Sequence, residues 1–391
     1  MIDRTQVGII GAGPAGLTLA LLLKKQGVNC IVLENQSRAY CESRVRAGLL
    51  EQNTVDLFNE LGIAGRLNKE GLKHEGVIFS FNGERIRVPF EELTHGRSIT
   101  IYGQQEVVKD LIAANIEKGV PILFGAEVYN IKGIETSPVA FYQQDGIEHQ
   151  LSCDFVAGCD GFHGISRQTL PADCYKTYSK EYPFSWLGIL AHAEPSSDEL
   201  IYAYHERGFA LHSLRSEKVS RLYLQVENGD TIDNWNDEKI WDELAVRLGT
   251  KGFTLNRGKI FEKGITPMRS YMIDNMQYGR LFLAGDAAHI VPPTGGKGLN
   301  LAVADTRFLA EALVDWYKNE SDDQLDAYSA NCLRRIWRAQ DFSNFMTYLF
   351  HKQAEHGSFE YQLQKSRFDY IRLSVAQATT IAENYVGLKA I

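Results

Sequence analysis

An apolar run, Gln6 to Ile10, ends in Gly11-Ala12-Gly13-Pro14-Ala15-Gly16, and a helical run, Leu17 to Gln26, follows before Gly27. A second apolar run, Cys30 to Leu33, then ends in Glu34. Each glycine has a distinct task in such a pattern. Gly11 suits the tight turn, Gly13 lets backbone amides approach a pyrophosphate, and Gly16 lets the helix lie close on the strand. Glu34, 18 residues beyond Gly16, stands where a carboxylate meets the ribose of a dinucleotide. Strand, turn, helix and distal acid in register predict an α/β fold with a Rossmann-type dinucleotide-binding domain. Only one such fingerprint is present and no CxxC, which excludes a flavoprotein disulfide reductase of the usual plan.

Bulk properties narrow the partners. A net charge of -8 without a long Lys/Arg run argues against general nucleic-acid binding, so an anionic substrate would need a local arginine cluster. Six cysteines without paired metal spacing predict reduced thiols and no metal site. No secretory signal opens the chain, and no apolar run reaches the ~18 residues of a membrane span, so a cytoplasmic protein is expected.

Further along, Ser43 to Gly48 places Arg44 and Arg46 two apart. The residues alone fit either a solvated loop or a pyrophosphate clamp. Strand-like runs, Val120 to Phe124, Val139 to Gln143 and Leu151 to Ala157, lead to Gly158-Cys159-Asp160-Gly161 and then to Arg167. Between Tyr182 and Val226 the composition shifts to aromatic and β-branched residues, which predicts a separate antiparallel sheet. Gly279 to Leu301 reads as a strand ending at Asp286, a loop stiffened by Pro292 and Pro293, and a helix start near Leu299. A carboxylate, a rigid loop and a helix N-terminus are parts that can hold a ribityl chain and the ring beyond it. The chain then closes in helices.

These motifs together resemble the single-component FAD aromatic hydroxylases. The resemblance rests on GAGPAG, on GCDGFHGISRQ (158–168), on GRLFLAGDAAHIVPPTG (279–295), on KGLNLA (297–302) and on the tail around Ala382 to Leu388, and it spans nearly the whole chain. It implies a Rossmann-type FAD-binding domain, a β-sheet substrate domain (an α+β insert) and C-terminal helices. The expected segments are 1–75, 101–178 and 269–320 for the FAD-binding domain, 76–100 and 179–268 for the substrate domain, and 321–391 for the helical region. It also implies hydroxylation of 4-hydroxybenzoate at the 3 position, with NADPH or NADH and O2 consumed and oxygen delivered through a flavin hydroperoxide. A related hydroxylase of 3-hydroxybenzoate or an aminobenzoate, or a non-catalytic FAD-fold interaction protein, is the alternative.

Carried over by motif, the resemblance places a substrate carboxylate on Ser213, Arg215 and Tyr223. It places a proton relay from the phenol on Tyr202, Tyr385 and His74, with His74 titrating near neutrality, and it aims the Pro293 carbonyl at the substrate hydroxyl. FAD would be held by Gly11, Gly13, Gly16, Glu34, Arg44, Gln104, Asp160, Asp286, Leu299 and Asn300. The nicotinamide cofactor would meet Arg46, His163, Arg167 and Arg269, and Arg221 would lie near the flavin. A homodimer is the expected assembly. Two departures stand out. Asn35 replaces an arginine found in a relative selective for NADPH, which weakens the case for exclusive NADPH use, and Leu49 replaces a smaller valine near the ring pocket.

Overall fold

The computed structural model describes residues 4–46 and 48–388. Residues 1–3, 47 and 389–391, which belong to the expected terminal segments and the basic loop, lie outside them. The first sheet is built on parallel strands Arg4–Ile10, Cys30–Glu34, Ile122–Phe124, Ile147–Gly158 and Leu281–Leu283. The helix Pro14–Lys25 packs against helices Gln104–Glu117 and Gly298–Asn319, and its Leu17, Leu19, Leu21 and Leu23 are buried. Pro14 at the first helical position has no amide to waste there. A hairpin, Glu127–Lys132 with Val139–Gln144, hangs from the sheet; its first strand is one the sequence did not reveal.

The second sheet runs in the order His289–Ile290, Lys259–Ile273, Thr177–His192, Val219–Glu227, Ala210–Ser216, Ile201–Tyr204, Gly76–Phe81, Glu84–Pro89. It is not purely antiparallel as expected. Ile201–Tyr204 and Gly76–Phe81 pair in parallel, because the latter arrives from a distant part of the chain. The expected boundaries at 178/179 and 268/269 fall inside the 16-residue strand Thr177–His192 and the 15-residue strand Lys259–Ile273. These two strands pair along most of their length and carry the second sheet toward the first.

Residues alternate across the second sheet. Leu222, Leu224, Ala203 and Ala210 face a core capped by helix Asp237–Arg247. Phe79, Tyr202, Trp186 and Phe209 face the opposite way, toward Met346 and Phe350 of the 28-residue helix Asp323–Phe350 and toward helix Val375–Val386. A three-stranded sheet (Leu49–Glu51, Ile99–Ile101, Leu72–His74) lies beside this second core. No described helix is long and apolar enough to cross a membrane.

Candidate active site

One face of the second sheet supplies most of the site. Tyr202 pairs with Leu211, and Leu211 with Tyr223, while Ser213 pairs with Arg221, so Tyr202, Ser213, Arg221 and Tyr223 all point the same way. Arg215 follows on the same strand beside a register shift. Its guanidinium donates to Gln105 Oε1, at the start of helix Gln104–Glu117. Burial, with Arg221 nearby, lowers its pKa to about 10. Among the described residues neither Arg215 nor Arg221 has a carboxylate within ion-pair distance, and Arg221 Nη1 is buried without a partner. Two desolvated cations without an anion are costly unless a ligand supplies one. Gly103 leaves room for the Arg215 guanidinium, since a Cβ there would lie 2.6 Å from Nη2 and displace it.

Roughly 13 Å of strand separates the Arg215 backbone from the position paired with Tyr202. At that end Tyr385 donates to the Tyr202 hydroxyl, which in turn donates to the Thr294 carbonyl at 3.0 Å. Both phenols are buried and pushed up in pKa, chiefly by desolvation, so both stay protonated at neutral pH. The Pro293 carbonyl, expected to face substrate, accepts from Gly296 N at 3.0 Å and keeps a second lone pair. Gly296 sits at φ 65° with Leu49 Cδ1 only 3.0 Å from where its Cβ would be, so Leu49 does pack on this turn.

His74 departs from expectation. It is 1% exposed, neither ring nitrogen has a partner, and burial lowers its pKa to about 4 despite Glu199 and Asp198. It therefore stays neutral near pH 7 and is no surface exchanger, and no direct hydrogen bond joins it to Tyr385.

The parts expected for FAD occupy the C-terminal edge of the first sheet. Gly11 has φ 105°, and its Cβ would collide with the Cys159 carbonyl, so no other residue fits. Gly13 caps the helix Pro14–Lys25 without a side-chain bond, leaving open amides for an anion. Glu34 accepts from Ala12 N at 2.7 Å and Gln36 N at 2.9 Å, so it shapes the glycine loop while keeping lone pairs for a hydroxyl. Asp160 caps the helix Ile165–Thr169 through Ser166, yet its Oδ1 is buried and unpartnered. The Asp286 side chain is accessible, but its recess pushes the carboxyl up; His289, Arg46, Arg44 and Arg269 oppose that shift. The open loop, the unpartnered Asp160 oxygen and this arginine rim fit a bound dinucleotide.

At the helix Gly298–Asn319 the first amides, including Leu299 and Asn300, lack intrahelical acceptors. The Asn300 side chain is spent on structure: Oδ1 accepts from Glu51 N and Thr54 Oγ1, and Nδ2 donates to the Leu49 and Gly296 carbonyls. Nearby is a feature the sequence reading missed. Lys297 Nζ meets Glu51 Oε1 at 2.8 Å and the Tyr385 carbonyl at 3.0 Å, and Arg335 completes the group at 2.5 Å from Glu51 Oε2. Burial would raise the Glu51 carboxyl, but Lys297 and Arg335 outweigh it and hold it low. A lone acid ending the apolar pair Leu49-Leu50 was the available signal. The group ties Tyr385 to the helix start.

A separate cluster collects Phe162, which has the Arg269 guanidinium 4.0 Å and the Arg167 guanidinium 4.5 Å from its ring, with Tyr271 at its edge. Arg167 also donates to the Ala287 carbonyl, next to Asp286, and His163 lies exposed beside Phe162. Arg46 faces the same recess through Asp286. Gln104 opens its helix just after Gly103.

A family model described as an FAD binding domain matches residues 4–343. The p-hydroxybenzoate hydroxylase of Acinetobacter baylyi is 46% identical over 386 residues, covering 98% of this chain and 96% of that protein. The chain belongs to the family of FAD-dependent aromatic hydroxylases. It is a flavoprotein monooxygenase. A probable NADH-specific resorcinol 4-hydroxylase of Rhodococcus jostii is 25% identical, covering 83% of this chain and 61% of that protein. Among solved structures, p-nitrophenol 4-monooxygenase from Pseudomonas putida superposes with a TM-score of 0.85 at 19% identity, covering both chains fully, which shows the shared fold.

Proposed function

We propose that this hydroxylase converts 4-hydroxybenzoate to 3,4-dihydroxybenzoate, with NAD(P)H oxidised and O2 reduced, one oxygen atom entering the ring and the other leaving as water. The observation that carries the reading is the pair Arg215 and Arg221, half-buried and without an ion-paired acid among the described residues, on the sheet that also carries Tyr202, whose hydroxyl is bonded to Tyr385 of helix Val375–Val386. An aromatic acid with its hydroxyl opposite its carboxylate would turn its anionic end to the arginines and its hydroxyl to the phenols. The 46% identical relative carries the name of this activity.

In this reading Arg215 binds the carboxylate bidentately, with Ser213 and Tyr223 beside it. A free phenol has a pKa near ~10, so the site must favour its anion to make the ring electron-rich. Tyr202 supports the substrate oxygen, and for its proton to pass to Tyr385 the two hydroxyls turn so that Tyr202 donates to Tyr385 instead of the Thr294 carbonyl, while the Pro293 carbonyl keeps a lone pair for the protonated form. His74, neutral with one donor and one acceptor nitrogen open, suits handing a proton onward without holding charge. FAD, when bound, supplies the reduction of oxygen and its transfer to the ring. Gly11, Gly13, Gly16, Glu34, Arg44, Gln104, Asp160 and Asp286 would hold it, with the Leu299 and Asn300 amides at its ring. The Phe162 cluster, with Arg46, His163, Arg167 and Arg269, would receive the nicotinamide cofactor.

We also propose a cytoplasmic homodimer. Helix Phe359–Leu373 exposes Phe359, Leu363, Tyr370 and Leu373 along one stripe, continued by Val375, which a second copy would cover. The deciding experiment is steady-state turnover with both nucleotides. 4-Hydroxybenzoate should accelerate NAD(P)H oxidation and yield 3,4-dihydroxybenzoate, and Asn35 leads us to expect NADH within roughly a hundredfold of NADPH (about 2.7 kcal/mol). Oxidation indifferent to this substrate would overturn the reading.

A further inference from the structure

The helix Asp323–Phe350 presents Ser343, Thr347 and the capping His351 at every fourth position, and all three are fully buried. The Thr347 hydroxyl lies 2.7 Å from the Ser343 carbonyl and 2.9 Å from the Thr294 hydroxyl. Thr347 has one proton and the carbonyl can only accept, so the Thr294 hydroxyl donates to Thr347. Gly295 leaves no slack in this contact, since its Cβ would lie 3.2 Å from Ser343 Cα. The same turn offers the Thr294 carbonyl to Tyr202.

One turn further on, His351 Nδ1 donates to the Thr347 carbonyl at 2.9 Å, and Nε2 accepts the Trp186 indole N–H at 2.6 Å. Both ring nitrogens are thereby committed to a single neutral tautomer. Phe184 and Phe209 stack on the ring at 4.3 and 4.4 Å. Trp186 in turn packs on Tyr223 at 4.7 Å, on the sheet face that carries Arg215.

We propose that Thr347 and His351 are positioning residues that set the two ends of the aromatic-acid site from behind: Thr347 fixes the turn that receives the Tyr202 hydroxyl, and His351 fixes Trp186 against Tyr223. Neither residue touches substrate. The helix face acts as a ruler between the phenol end and the carboxylate end. This rests on the proposed 4-hydroxybenzoate activity.

The test is a pH titration of bound 4-hydroxybenzoate, following phenolate absorbance in the FAD-loaded enzyme, together with the Kd. In Thr347→Val the phenol titration should move up by about half to one pH unit, with Kd changed less than about threefold, and Thr347→Ser should restore it. In His351→Phe the Kd should rise roughly tenfold while the phenol titration stays in place, because the Trp186 N–H loses its acceptor. Trp186→Phe, which removes the N–H that His351 holds, should weaken binding to a similar degree, and combined with His351→Phe it should add little further loss. FAD content and Tm check folding; should Thr347→Val not fold, Thr294→Val breaks the same bond from the turn side and must give the same shift. A folded variant lacking the Thr294–Thr347 bond with an unmoved phenol titration overturns the Thr347 assignment, and a His351→Phe variant of unchanged Kd overturns the other. A wild-type enzyme that does not bind 4-hydroxybenzoate would instead defeat the functional reading itself.

Discussion

Arg215 depends on geometry as much as charge. A lysine at that position keeps a cation but loses the planar fork that grips a carboxylate at two points. Arg215→Lys should therefore weaken 4-hydroxybenzoate binding by at least about tenfold, measured by equilibrium titration, and an unchanged Kd would remove the clamp from consideration. Tyr385→Phe deletes only the hydroxyl that donates to Tyr202. The variant should bind FAD normally but yield less 3,4-dihydroxybenzoate per NAD(P)H consumed, and a wild-type ratio would argue against the relay. At this scale the sequence was informative about which residue types gather, since Tyr202, Ser213, Arg221 and Tyr223 follow from strand alternation once the register is known. It could not reveal that His74 is buried, because burial depends on the packing of the three-stranded sheet beside the second core. Nor could it find Thr347 or His351, whose partners Thr294 and Trp186 lie far away in the chain.

Among the elements, the turn Pro292–Gly296 is tightly constrained. Gly296 needs its positive φ, and Gly295 needs the space beside Ser343. Gly295→Ala should push the turn off the helix and strand the Thr294–Thr347 bond, a change worth about 1–3 kcal/mol. Chemical denaturation should register that loss together with weaker substrate binding, and a variant as stable as wild type would show that the turn has slack. The glycine fingerprint, the helix after it and the strand leading to Asp160 were legible because each is dictated by local backbone demands. The hairpin strand Glu127–Lys132 was not, because residue type does not follow its alternation: Tyr129 is exposed while Asn130 lies on the inward side. The parallel pairing of Gly76–Phe81 with Ile201–Tyr204 was equally hidden, being decided by chain crossing rather than by residue type.

The molecule as a whole carries several histidines that fold neutral. His74 and His212 are lowered to about 4, and His351 to about 3, in each case mainly by burial. An unfolded histidine titrates near 6.5, so between that value and about 4 the unfolded chain binds more protons than the folded one. Stability is therefore fully present above about pH 6.5 and falls as the pH drops toward 4. Removing one such group, as in His74→Asn, should reduce the slope of unfolding free energy against pH in this window by about 1.4 kcal/mol per unit. Urea titrations at several pH values would measure it, and an unaltered slope would mean that His74 is not held neutral.

The strands Thr177–His192 and Lys259–Ile273 run without a break from one sheet toward the other. A unit whose borders are continuous strands cannot be cut out, exchanged or permuted at those borders without leaving raw hydrogen-bonding edges. Proteases should accordingly find no weak seam near residues 178 or 268, and an isolated 179–268 fragment should aggregate rather than fold. For such a chain, a new ring specificity has to be written one side chain at a time onto the shared sheet, because the substrate-binding part cannot be replaced as a cassette.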